Sequence, residues 1–122
     1  MKNVNKIKNY SPEEFIYKLF ETAGWTVKFD DRKQCGYCPD LSLYKQDELY
    51  GYVEVISHLS DEKLNKKLIQ IKHFFKENKT KVLIITDSIN YYVVYKNDVK
   101  NICWAPTPEE LELITKEVSQ DE

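Results

Sequence analysis

From Val82 to Ile85 every side chain is apolar, inside a run, Lys81–Asp87, that is too short for anything but a strand. Side chains alternate across a strand, so an unbroken apolar run marks one that is covered on both faces. Crossing a bilayer takes about 20 apolar residues, which removes the membrane alternative for this segment. Helices must therefore pack on the sheet, and the chain signals three. Ser11-Pro12-Glu13-Glu14 opens the first: Ser11 accepts from orphan N–H groups, Pro12 suits the first helical position, and Glu14 completes a capping box. Phe15, Leu19 and Phe20, widened by Ile16 and Ala23, form its apolar stripe, and Gly24 stops it. Ser60-Asp61-Glu62 caps a second helix, Asp61–Asn78, with the seam Leu64, Leu68, Ile71 and Phe75. Thr107-Pro108-Glu109-Glu110 repeats the capping signature and starts a third, which runs into an acidic tail.

Between these helices the pattern changes to strands. Trp25–Phe29 comes first, then a polar loop over Asp30–Tyr37. Pro39–Tyr44 and Leu49–Ser57 follow, joined by a tight turn at Gln46-Asp47-Glu48. Lys81–Asp87 and Tyr91–Tyr95 come after the second helix, with a turn at Asn97-Asp98 and a short edge strand at Ile102–Trp104. A helix lies between Leu49–Ser57 and Lys81–Asp87, so these two strands are expected to be parallel, with Lys81–Asp87 central. The expected fold class is α/β, ordered helix–strand–strand–strand–helix–strand–strand around a mixed sheet flanked by helices. With 122 residues and no repeat or linker, the chain reads as a single domain. Its core covers about residues 11–96, and 97–122 add the edge strand and last helix.

The polar start, Met1–Lys8, has no apolar stretch after it, so a cytoplasmic protein without a membrane partner is expected. A net charge of −2 lacks the basic bias of a strong nucleic-acid binder, although a local patch would suffice. Cys35-Gly36-Tyr37-Cys38 is followed by Pro39 and a strand, not by the helix that a redox pair needs. Only Cys103, His58 and His73 are available to complete a zinc site, so an ordinary reduced loop is expected and zinc is not.

The hairpin carries the chemistry. With its turn centred on Asp47, Asp40 stands opposite Glu54, Ser42 opposite Tyr52, and Tyr44 opposite Tyr50. Asp40, Ser42, Tyr44, Tyr50, Tyr52, Glu54 and Ile56 then share one face, and Leu41, Leu43, Leu49, Val53 and Val55 form an apolar wall on the other. Two carboxylates side by side repel, and a divalent cation such as Mg²⁺ would relieve that with oxygen ligation. Solvation on an open face, or a lysine partner, would relieve it equally. The tyrosines suit either base stacking or cross-strand pairing.

Pro39-Asp40 followed by Glu54-Val55-Ile56 resembles the signature of the PD-(D/E)XK nuclease superfamily, and in particular the N-terminal nuclease domain of type I restriction enzyme R subunits. The likeness extends from Glu14 and Ala23-Gly24-Trp25, through Gln70-Ile71-Lys72-His73-Phe74, to Ile84-Ile85-Thr86-Asp87-Ser88 and Tyr91–Tyr95. It implies a nuclease fold acting on DNA phosphodiesters. Asp40 and Glu54 would hold Mg²⁺ or Mn²⁺, with the Val55 carbonyl as a third ligand, and Gln70 would position the site or the strand. Glu14 stands where the family has a helix glutamate, though its capping bond accounts for it. The family's catalytic lysine is replaced by Ile56. His58, or Lys63 and Lys66 on the second helix, are the candidates to substitute for it. The alternative is a nuclease fold without catalysis, serving as a protein-interaction module, inhibitor or decoy. Either way so small a domain is expected to need a protein partner or a second copy.

Overall fold

The computed structural model describes residues 11–29, 39–72, 81–96 and 98–120. Along the chain these form α1 (Pro12–Thr22), β1 (Thr26–Phe29), β2 (Leu41–Lys45), β3 (Glu48–Val55), α2 (Asp61–Gln70), β4 (Val82–Thr86), β5 (Tyr91–Tyr95), β6 (Asp98–Ile102) and α3 (Pro108–Gln120). The Cys35–Cys38 motif, His73 and Phe75 lie outside the described residues, as does the expected end of the second helix at Asn78. Cys103 is exposed and free.

Both capping boxes form. The Ser11 hydroxyl accepts the Glu14 N–H at 3.1 Å while the Glu14 carboxylate accepts the Ser11 N–H at 2.9 Å. Thr107 and Glu110 repeat the exchange at the start of α3, at 3.1 and 2.9 Å. Each box satisfies two helix donors that would otherwise be orphaned.

The six strands lie in sequence order in one sheet. Every adjacent pair is antiparallel except β3 and β4, which are parallel and bridged in sequence by α2. All five residues of β4 are buried, as their unbroken apolar run requires. Gly51 lets β3 and β4 approach closely, since a Cβ there would fall 2.5 Å from the Val82 carbonyl oxygen.

One face of the sheet presents Val27, Leu41, Leu43, Val53, Val82, Ile84 and Val93 to Ile16 and Phe20 of α1 and Leu111 of α3. The other presents Tyr52, Leu83, Ile85 and Val94 to Leu64 and Ile71. The carboxylate face is therefore not open, because α2 covers part of it. Fully burying each of these side chains contributes about 1.5–3 kcal/mol, so two opposed layers are well supported.

Two expectations are corrected. The turn is a two-residue loop, Gln46-Asp47, with both φ angles positive (52 and 68°), as a type I′ hairpin requires. A β-bulge follows: Leu43 pairs with Gly51, but Tyr44 pairs with Leu49. Tyr50 is the extra residue, so it and Leu49 exchange the faces that simple alternation assigns them. Leu49 joins the α2 side, while Tyr50 packs on Trp25 with ring centroids 5.4 Å apart. The last strand is Asp98–Ile102 and not Ile102–Trp104, because the pairs from Tyr95↔Asp98 to Tyr91↔Ile102 take up the length of β5. Four of its five residues are exposed, so its sequence carries no apolar signal.

Candidate active site

Asp40 stands one residue before β2, where the ladder with β3 ends. Its N–H donates to the Val53 carbonyl at 3.0 Å, and its Oδ2 accepts the Val55 N–H at 2.8 Å. The pairs Ser42↔Tyr52 and Leu41↔Val53, carried one step further, set Asp40 beside Glu54. Because the bulge lies on the turn side of Gly51, it leaves this register untouched.

Glu54 has a cation at hand. The Lys67 ammonium donates to its Oε2 at 3.1 Å, with side chains only 17% and 13% exposed. Lys67 comes from α2, where it lies three residues after Leu64 and four before Ile71, on the stripe that faces the sheet. The two lysines singled out from sequence are engaged elsewhere: Lys63 reaches the Ser57 carbonyl at 3.3 Å, and Lys66 pairs with Glu62 at the surface. Gln70 is exposed at the last position of α2, one turn beyond Lys67. Ile56 is half-buried against the Leu64 and Ile71 cluster.

Burial pushes the Asp40 carboxyl above its ordinary value. The Val55 N–H opposes this, the negative charge of Glu13 adds to it, and the charge of Lys67 opposes it. Glu13 is thus the acid of α1 that acts on Asp40, whereas Glu14 is committed to its cap. Like Lys67, Glu13 sits at stripe positions, three before Ile16 and seven before Phe20. In both helices a charged residue at a core-facing position is the signal that sequence reasoning passed over.

Above the carboxyl ends of β3 and β4 lies a cleft of ≈ 320 Å³, lined by Pro12, Val55, Ile56, Ser57, His58, Asp87, Ser88 and Ile89. Such a crevice is where ligands enter open α/β sheets. His58 is exposed and held at φ 53°. Of the tyrosines proposed for stacking, Tyr52 is buried, Tyr50 is on the opposite face, and Tyr44 carries the Lys28 ammonium 4.7 Å from its ring centroid.

Compared with known proteins, the chain matches no family model, no curated protein and no solved structure. None of the helices among the described residues is long and apolar enough to cross a membrane. The described residues contain no group of three or more His, Cys, Asp or Glu poised around one point. Mg²⁺ takes one or two carboxylates plus waters, and Asp40 and Glu54 are the two acids at the end of the β2–β3 ladder.

Proposed function

We propose that this chain is a Mg²⁺-dependent nuclease of the PD-(D/E)XK type, acting on DNA phosphodiesters, with its lysine supplied by α2 and not by β3. The observation that carries this is Lys67 on Glu54, which puts an ammonium beside the paired acids although Ile56 stands in the signature position. The order of elements, with three antiparallel strands, a helix and a parallel strand, supports the same reading.

Asp40 and Glu54 would hold the ion, with the Val55 carbonyl as a third ligand. Bound there, Mg²⁺ would polarise the phosphoryl oxygen and lower the pKa of a water. The chain's own residues do the rest. The Val55 N–H fixes the Asp40 carboxylate in place. Lys67, anchored by Glu54, supplies positive charge where the phosphoryl group becomes more negative, without reorganising at the moment of reaction. Its partial burial strengthens that interaction relative to water.

Plasmid nicking with Mg²⁺ or Mn²⁺ tests this. Wild type should cleave, and Asp40→Asn and Lys67→Ala should each lose most of the rate. Cleavage that survives both substitutions would sink the proposal. A second reading is favoured by one specific observation. Asp40 and Glu54 already have partners within the chain, Val55 and Lys67, so the fold can hold both acids without a metal. On that reading the domain binds a protein partner and cleaves nothing, and the nicking assay stays blank for wild type.

A further inference from the structure

The cleft above β3 and β4 joins the acidic pair without being part of it. Val55 lines the cleft and also donates its N–H to Asp40, while Pro12, which lines it too, is followed directly by Glu13. Its lining is half apolar (Pro12, Val55, Ile56, Ile89) and half polar (Ser57, His58, Asp87, Ser88). Asp87 uses one carboxylate oxygen, Oδ1, to accept the Ile89 N–H at 3.0 Å and the Asn90 N–H at 2.8 Å. Its other oxygen, the Ser57 hydroxyl and the His58 imidazole have no partner among the described residues. Ile89, which also lines the cleft, is 72% exposed, so its side chain is free to meet a ligand.

These features select a ligand. The Asp87 carboxylate repels phosphate, so what enters beside it must be uncharged or carry hydrogen-bond donors. Apolar lining at Pro12, Ile56 and Ile89 asks for a poorly hydrated body. The volume is at the low end for small-molecule sites and cannot admit a duplex. A nucleobase with an exocyclic amino group meets all three conditions, since carboxylates accept from cytosine N4 in the same way. We propose that this cleft binds one unstacked nucleobase of the strand held at Asp40 and Glu54, with Asp87 accepting from its amino group. The inference rests on the nuclease reading and narrows its substrate to single-stranded or locally opened nucleic acid, in which a base is free to leave the stack.

Fluorescence anisotropy with short labelled single strands, in Ca²⁺ in place of Mg²⁺, tests this on the intact chain. Oligo-dC should bind roughly tenfold more tightly than oligo-dT, which lacks the amino group, and an abasic strand should bind most weakly. Asp87→Asn keeps the oxygen that bonds Ile89 and Asn90 and should abolish the dC preference, with dT binding at least as tight as before because a negative charge is removed and the new amide N–H can donate to thymine O4. Ile89→Ala, at an exposed position that folding does not depend on, should weaken base-bearing strands several-fold and leave the abasic strand alone. Equal binding of abasic and base-bearing strands would overturn the proposal, and so would a dC preference that survives Asp87→Asn. Mg²⁺-dependent cleavage that persists without any base preference removes the cleft and spares the nuclease. A base preference in a protein that cuts nothing removes the nuclease alone. No binding of any strand at low salt removes both.

Discussion

The ammonium of Lys67 lies 3.1 Å from Oε2 of Glu54, and both side chains are more than four-fifths buried. Truncating one partner leaves the other charge desolvated, so Lys67→Ala should cost about 2–4 kcal/mol, read as a lower urea midpoint. Lys67→Ala combined with Glu54→Leu should recover part of that loss, because Glu54 is no longer left buried without the ammonium, while Asp40 still loses the charge of Lys67. If the proposed chemistry holds, Lys67→Ala should also lower the cleavage rate by about 10²–10³, and Lys67→Arg should keep stability better than rate.

On the proposed chemistry the lysine should be exchangeable between Lys67 and the position of Ile56. Ile56 follows Glu54 by two, one residue past the end of β3, and packs toward α2. Ile56→Lys in wild type should add little, since Lys67 already serves Glu54. In the Lys67→Ala background the same change should restore nicking, and failure to do so would tie the ammonium to its approach from α2.

Asp40 gives a pH signature. Its folded value is raised above 3.8 mainly by burial, so its contribution to stability is complete below that pH and is lost as pH rises through the folded value. Asn mimics the protonated form and can still accept the Val55 N–H. Asp40→Asn should therefore melt higher than wild type at pH 7, with the difference shrinking as pH falls toward about 4. Mg²⁺ should raise the melting temperature of wild type and not of the variant.

Much of this site is readable in the sequence, for a physical reason. Side-chain period two is rigid, so once Leu41–Leu43 and Gly51–Val53 are paired, Asp40 and Glu54 have to be neighbours. Capping boxes are equally local, and both form. What the sequence hides is tertiary. Whether Lys63, Lys66 or Lys67 meets Glu54 depends on how α2 lies over the sheet, and the clue was that Lys67 falls between Leu64 and Ile71 on the packed stripe. Tyr50 gives no hint of its bulge, because Leu-Tyr-Gly-Tyr alternates acceptably in either register. Asp98–Ile102 is equally silent, as an edge strand buries almost nothing.

Gly51 is a point of close approach between β3 and β4. A Cβ placed 2.5 Å from the Val82 carbonyl oxygen meets backbone and has no side chain to push aside. Gly51→Ala should destabilise by about 1–3 kcal/mol or more through overpacking, measured in urea. An unchanged midpoint would mean that β3 and β4 are further apart than described.

The turn offers the opposite. Gln46 and Asp47 both occupy left-handed backbone that Asn and Gly enter more readily. Gln46→Asn with Asp47→Gly should raise the melting temperature by a few degrees and leave nicking unaffected, since the tip is remote from Asp40.

The bulge at Tyr50 has a bearing on how this hairpin tolerates copying errors. On the acid side of it the partner numbers of Leu41, Ser42 and Leu43 run in one series, and on the turn side those of Tyr44 and Lys45 run in another. Losing Tyr50 would merge the two series into a regular ladder at the expense of one aromatic contact with Trp25. A lineage can therefore shorten or regrow the hairpin by this single residue and never move Asp40 relative to Glu54.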